Sequence, residues 1–163
     1  MKWFNNPRTI EEVKQQYKCL ALAHHPDVGG DNESMKEINA EYDALFARLK
    51  DVHQAADGNV YTAKAATTET ANQFKDIIDR LIHMDNINIE ICGSWVWVTG
   101  QTYQHKERLK GIGFKFSKQK TAWYYHSECY RKHNSKTYTL DEIRDLFGSE
   151  TVSNKSLLSL QAV

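Results

Sequence analysis

His24-His25-Pro26-Asp27-Val28-Gly29-Gly30-Asp31 is the stretch from which the first part of the fold is read. Upstream of it, Ile10, Val13, Tyr17, Leu20 and Ala21 recur at spacings of three and four, with His24 one turn further. Downstream, Met35, Ile38, Tyr42, Leu45, Leu49 and Val52 repeat the pattern. Each run predicts an amphipathic helix, and a connection this short makes the two helices antiparallel neighbours. Pro26 fixes its own φ and biases His25 away from helical geometry, so the first helix is expected to stop near His24. Gly29 and Gly30 free the backbone to turn, and Asp31 or Asn32 is placed to cap the second helix. On these residues alone the stretch is a helix–helix turn at the exposed tip of a hairpin.

The flanking residues add a likeness. Tyr17-Lys18-Cys19-Leu20-Ala21-Leu22-Ala23-His24-His25-Pro26-Asp27 resembles the second helix and His-Pro-Asp loop of the J-domain. Ile38-Asn39-Ala40-Glu41-Tyr42-Asp43-Ala44-Leu45 resembles its third helix. The Gly-Gly-Asp run is similar to that of some viral J-domains, such as those of polyomavirus T antigens. The resemblance spans roughly residues 9 to 50. It implies a region that docks on a DnaK-type chaperone and stimulates its ATP hydrolysis. His25, Pro26 and Asp27 would be the contact loop, and Lys14 and Lys18 the basic face of the helix before it. A carboxylate on a rigid loop pairs well with an arginine of a partner, and two lysines one turn apart would steer toward an acidic groove. Two departures stand out. Cys19 and Ala23 occupy positions where the family commonly has basic residues. The family's first helix is missing or reduced to Met1-Lys2-Trp3-Phe4, from which Trp3 and Phe4 are expected to cover the hairpin.

The chain has 163 residues, with 40% hydrophobic and 26% charged side chains, which is ordinary for a globular protein of one domain or two small ones. Its formal net charge of zero hides a split. Residues 1–57 carry 7 basic and 10 acidic side chains, whereas residues 86–138 carry 9 basic and 3 acidic. Such asymmetry suggests different partners for the two halves. Cys19, Cys92 and Cys129 are too few and too widely spaced for a disulfide framework, which points to a reducing cytoplasm. No signal-peptide pattern opens the chain and no apolar run approaches membrane-span length, so no membrane partner is expected.

Thr9-Ile10-Glu11-Glu12 reads as a capping box for the first helix. The stretch from Ala55 to Thr70 is rich in Ala, Thr, Asp, Gly and Asn and reads as a linker. Thr70-Ala71-Asn72-Gln73 is another capping-box pattern, and Phe74, Ile77, Ile78, Leu81 and Ile82 mark a third helix to about Met84. The period then becomes two: Ile87, Ile89 and Ile91, a Gly93-Ser94 turn suited to type II′, and Trp95-Val96-Trp97-Val98-Thr99 predict a β-hairpin. A short helix from Tyr103 to Lys110, ending at Gly111, precedes a second hairpin of 114–116 with 122–126. A last helix opens at Thr139 and closes at Gly148. The fold class is therefore α+β. The expected organisation is a J-domain-like helical hairpin over 1–55, a linker over 56–70, a basic α+β unit of ββαββα order over 71–150, and a flexible tail over 151–163.

In the second half, Leu109 to Tyr125 interleaves lysines with aromatics. The run is similar to a short sheet motif met in proteins of phages, plasmids and conjugative elements, which implies that setting rather than an activity. Lysines beside Trp and Tyr can hold phosphates and stack bases. The candidate residues for nucleic-acid or client binding are Lys106, Lys110, Lys115, Lys118, Lys120, Trp123 and Tyr125. On so small a sheet some of these aromatics must also be core. His126, Cys129 and His133 have spacing that a metal could use, but the surrounding Lys and Arg oppose a cation, so no metal is expected. No Walker loop, nucleophile elbow or His-Glu-x-x-His occurs, and neither an enzyme nor a cofactor is expected. Two readings follow. One is a J-domain co-chaperone, not an enzyme, that recruits and stimulates a DnaK-type chaperone while its second half holds a client or nucleic acid, in the setting of a mobile element. The other is a nucleic-acid-binding or host-defence-inhibiting protein in which the J-like hairpin is only structural.

Overall fold

A computed structural model describes residues 1–127, 137–148 and 152–153. Thr9 is the N-cap of α1 (Ile10–His24), its hydroxyl accepting the Glu12 N–H at 3.4 Å. The other half of the expected capping box is redirected: the Glu12 carboxylate accepts the Arg8 N–H at 2.7 Å. His25 is extended ahead of Pro26, as the proline requires, and ends the helix. A 3-10 turn over Pro26–Val28 leads to Asp31, which caps α2 (Asn32–Leu49) by accepting the backbone N–H of Ser34 at 2.9 Å and its hydroxyl at 3.0 Å. Those bonds hold the Asp31 carboxyl below its ordinary range.

The two helices pack as the periodicity predicts, with the Tyr17 and Tyr42 rings 4.4 Å apart and the Tyr17 hydroxyl donating to Asn39 at 2.9 Å. Burial pushes both phenols well above the usual tyrosine range. Trp3 and Phe4 do cover the hairpin: Phe4 is buried, and Glu41 accepts the backbone N–H groups of Lys2, Trp3 and Phe4 at 2.6, 3.1 and 3.3 Å.

Residues 56–70, expected as a linker, are more ordered than their composition suggests. β1 (Val52–Gln54) and β2 (Val60–Thr62) form an antiparallel hairpin in which His53 faces Tyr61. The Glu11 carboxylate ties it to α1 through His53 Nδ1 at 2.7 Å and the Gln54 N–H at 3.3 Å. Thr70 and Gln73 then close a full capping box and start α3 (Ala71–Ile82).

The main sheet has the order β5-β6-β4-β3-β7 and is antiparallel throughout. β3 (Ile87–Cys92) and β4 (Trp95–Gly100) pair across the two-residue turn. Gly93 has φ +58 while Ser94 is not in the left-handed region, which fits the expected type II′ geometry. After a 3-10 turn at Tyr103–His105, α4 runs Lys106–Ile112; it passes Gly111 and closes on Gly113, whose φ is +108. β5 (Lys115–Ser117) and β6 (Ala122–Tyr125) follow, then α5 (Leu140–Phe147). β7 (Val152–Ser153) pairs with β3; the rest of 151–163, expected to be a flexible tail, lies outside the described residues.

Alternation along the strands sorts the sheet into two faces. Ile87, Ile89, Ile91, Val96, Val98 and Trp123 join one buried cluster with Val13, Tyr17, Ile38, Tyr42, Phe74, Ile78 and Leu109. The core is thus continuous across 56–70, and the two expected units share it; α1 touches α2, α3 and β3. This corrects the division drawn from composition, because Gly and Asn mark a tight hairpin as readily as a spacer. On the opposite face, Cys92, Trp97, Ala122 and Leu140 form a second cluster under α5, flanked by Trp95, Tyr124 and Ile143.

One ion pair locks α5 to the sheet. Glu90, 1% exposed, lies on the second face, and Arg144 grips it in a bidentate pair, Nε to Oε2 at 2.6 Å and Nη2 to Oε1 at 2.5 Å. The bond to Glu90 raises the Arg144 pKa further. Breaking such a pair by removing one partner costs about 3–5 kcal/mol, because a buried carboxylate keeps its desolvation penalty. Arg144 is about a third exposed, which places the cost near the low end. Arg144→Ala is therefore expected to lower urea stability by about 3 kcal/mol, and Glu90→Ala/Arg144→Ala to lose less than Arg144→Ala alone. Equal losses in the two variants would show that Glu90 left without Arg144 carries no desolvation penalty.

Candidate functional site

The loop between α1 and α2 is shaped by short local bonds. The N–H groups of Val28 and Gly30 both reach the His25 carbonyl, at 3.1 and 2.9 Å, and the Gly29 N–H reaches that of Pro26 at 3.1 Å. Gly29 sits at φ +94. Gly30 is required for space: a Cβ there would lie 2.0 Å from the His24 carbonyl oxygen. Pro26, Gly29 and Gly30 together leave the loop one compact path, and that path holds His25 and Asp27 at the hairpin tip.

His25 faces inward more than a surface turn needs. Its side chain is 12% exposed; Nδ1 accepts the Asp27 N–H at 3.3 Å, and Nε2 lies 2.9 Å from Oδ1 of Asp79 on α3. That pattern assigns the proton to Nε2, pointing at the carboxylate. Asp27 is 53% exposed, with its carboxylate 3.2 Å from Nε2 of His83 just after α3. The His25 and His83 rings meet edge-on at 6.1 Å. A cleft of about 260 Å³ opens beside the loop, walled by Tyr17, Ala21, Met35, Asn39, Asp76 and Ile82. The end of α3 therefore holds the loop from one side and leaves the Asp27 carboxylate at the surface.

Asp79 and His83 were not among the residues expected at this site. They lie four apart, on one side of an amphipathic helix, which is the usual look of a solvated face. Only the docking of α3 beside α1 brings them to the loop.

The expected basic face is corrected by the same docking. Lys14 and Lys18 are 4% and 0% exposed. Lys14 forms an ion pair with Glu69 at 2.5 Å and lies 5.2 Å from the centre of the Phe74 ring. Lys18 Nζ donates to the carbonyl of Ile89 on β3 at 3.2 Å. Both ammonium groups point into the body of the protein. A signal was present in the sequence: Ile10, Lys14, Lys18 and Leu22 form one i, i+4 row, and its two end members are apolar and buried. Long aliphatic stems can fill such a row, provided the ammonium finds acceptors.

In the second half, Lys106, Lys110, Lys115 and Lys118 are exposed and Lys120 is half-buried. Trp123 is 7% exposed and belongs to the main core, and half-buried Tyr125 packs on Phe114 at 5.5 Å. Trp123 thus presents no free face for stacking, and the odd positions of Trp123 and Tyr125 on β6 turn both side chains to the face that carries the main core. His126 Nε2 lies 2.9 Å from the Ser94 hydroxyl and its ring 4.5 Å from that of Trp95. Cys129 and His133 lie outside the described residues.

The chain is similar over 31 residues to the small t antigen of budgerigar fledgling disease virus, at 52% identity, covering 19% of this chain and 21% of that protein. The chain thus spans about a fifth of the length of this curated relative. The similarity supports a J-domain-like N-terminal region. No family model matches the chain, and no solved structure matches it. Among the described residues no helix is long and apolar enough to cross a membrane.

The burial of Lys18 gives a direct test of the corrected face. Lys18→Ala removes a fully buried stem and the donor to Ile89, and is expected to lower urea stability by about 2 kcal/mol or more. A loss under about 0.5 kcal/mol would return Lys18 to the surface.

Proposed function

We propose that the protein is a J-domain-type co-chaperone that docks on a DnaK-type chaperone through His25-Pro26-Asp27 and stimulates its ATPase, without being an enzyme itself. The observation that carries this reading is the Asp27 carboxylate, more than half exposed on a loop that Pro26, Gly29 and Gly30 confine to one path. A carboxylate so held is prepared to pair with an arginine of a partner. His25 would set the loop rather than touch the partner first, since Asp79 already engages it. Lys14 and Lys18 take no part in this version of the contact. The second half would hold a client or nucleic acid, and the viral source of the similar protein fits the setting of a mobile element. A reducing cytoplasm is the compartment that three widely spaced cysteines suggest.

The rival reading, in which the hairpin is a scaffold for a nucleic-acid-binding or host-defence-inhibiting protein, draws its support from the burial of those two lysines. An ATPase assay with the host's DnaK-type chaperone separates the two. Wild-type protein is expected to accelerate hydrolysis and Asp27→Asn to abolish the effect, while its stability stays within about 0.5 kcal/mol of wild type, as an exposed position allows. Lack of stimulation by folded wild-type protein would leave the scaffold reading.

A further inference from the structure

The run from Tyr103 to Lys120 carries six basic side chains and one acidic one, Glu107, in a chain whose first 57 residues are net acidic. Glu107 pairs with Lys110 at 3.2 Å. Among the described residues no other carboxylate lies within ion-pair distance of Lys106, Arg108, Lys115 or Lys118, all of which are exposed. The run forms a helix and the strand that follows it, α4 and β5, joined through Gly113 and Phe114, so these charges lie along one continuous strip of chain. Among the described residues β5 is an edge strand with β6 as its one neighbour.

Two aromatic rings sit in the same strip. Tyr103 is 83% exposed, more than any other large apolar side chain among the described residues, and the Lys106 ammonium lies 4.9 Å from its ring centre. Phe116 is 46% exposed and is backed by Trp123 at 5.3 Å, on the sheet face that also carries Leu109 of α4. Exposed rings in one run with cations that lack a carboxylate partner among the described residues fit a polyanion with flat apolar faces. Single-stranded nucleic acid has both features: phosphates for the lysines and unstacked bases for the rings. A duplex offers the phosphates but keeps its base faces stacked. An acidic protein offers the charge but no regular alternation of anionic groups with flat rings.

We propose that the run from Tyr103 to Lys118 forms a binding strip for single-stranded nucleic acid, with Tyr103 and Phe116 stacking on bases and Lys106, Arg108 and Lys118 holding phosphates. Trp123 acts behind Phe116 as its support, which gives that buried ring a part in the surface. The strip deepens the reading that the second half holds nucleic acid and rests on that reading; it needs neither the loop nor a chaperone.

The test is fluorescence anisotropy of a labelled oligothymidylate of about 20 nucleotides, enough for several stacked bases, titrated with the full-length protein over a range of salt. Affinity should fall linearly on a log–log plot against salt, and Arg108→Ala and Lys118→Ala should each flatten the slope by about 0.7. Tyr103→Ala should weaken binding by about tenfold and leave the slope unchanged, as loss of a stacked base does. Phe116→Ala should do the same, while Tyr103, more fully exposed, keeps the test free of folding effects. A duplex of equal length should bind more weakly. No binding at low salt overturns the proposal. So does equal binding of heparin and duplex with no effect of Tyr103→Ala, since that outcome is charge attraction alone.

Discussion

Helix α1 is buried on more than one side, and the rest of the structure follows from how its ammonium groups are accommodated. One apolar stripe, with Val13, Tyr17 and Ala21, meets α2 and α3. The neighbouring row presses Lys14 and Lys18 toward Glu69 and β3. An ammonium taken out of water is tolerated only where acceptors replace its hydration. Glu69 and the Ile89 carbonyl are two such acceptors; one comes from the stretch before α3 and the other from β3. The position of the sheet on the hairpin is therefore set by polar requirements as well as by apolar area.

That arrangement explains why the J-like loop is not presented as a bare tip. With β3 beside α1, the helix that feeds β3 must pass the loop, and α3 ends there with Asp79 and His83 against His25 and Asp27. Two histidines and two carboxylates then share one corner. The loop is steadied by residues more than fifty positions downstream, and the orientation of Asp27 depends on the docking of α3 as well as on Pro26.

Much of the architecture could be read locally. Thr9, Asp31, Thr70 and Thr139 all cap the helices they precede, because capping is settled within four residues. The type II′ turn at Gly93-Ser94 and the alternation of Ile87, Ile89 and Ile91 are local in the same sense. What could not be read depended on partners far away in the chain. Lys14 and Lys18 were expected as a basic docking face because lysine is polar by type, whatever its stem touches. Trp123 and Phe116 are neighbours across a strand pair, yet one is buried and the other open; helix coverage and position at the sheet edge decide that, not residue type. The hairpin of β1 and β2 was hidden by a composition that serves turns and spacers equally well. Asp79 and His83 carry no motif, so the site's inner half had no sequence signal.

Synthesis from the N-terminus gives the buried lysines a second consequence. The helical hairpin leaves the ribosome well before Ile89, which follows Lys18 by 71 residues. During that interval the row from Ile10 to Leu22 has no sheet to cover it. An all-apolar row would be an adhesive surface on a nascent chain, whereas two ammonium groups keep it hydrated until β3 arrives. The same side chains that look unfavourable in the finished core thus act as temporary solubilising groups, and their desolvation is deferred to the moment when the acceptors exist.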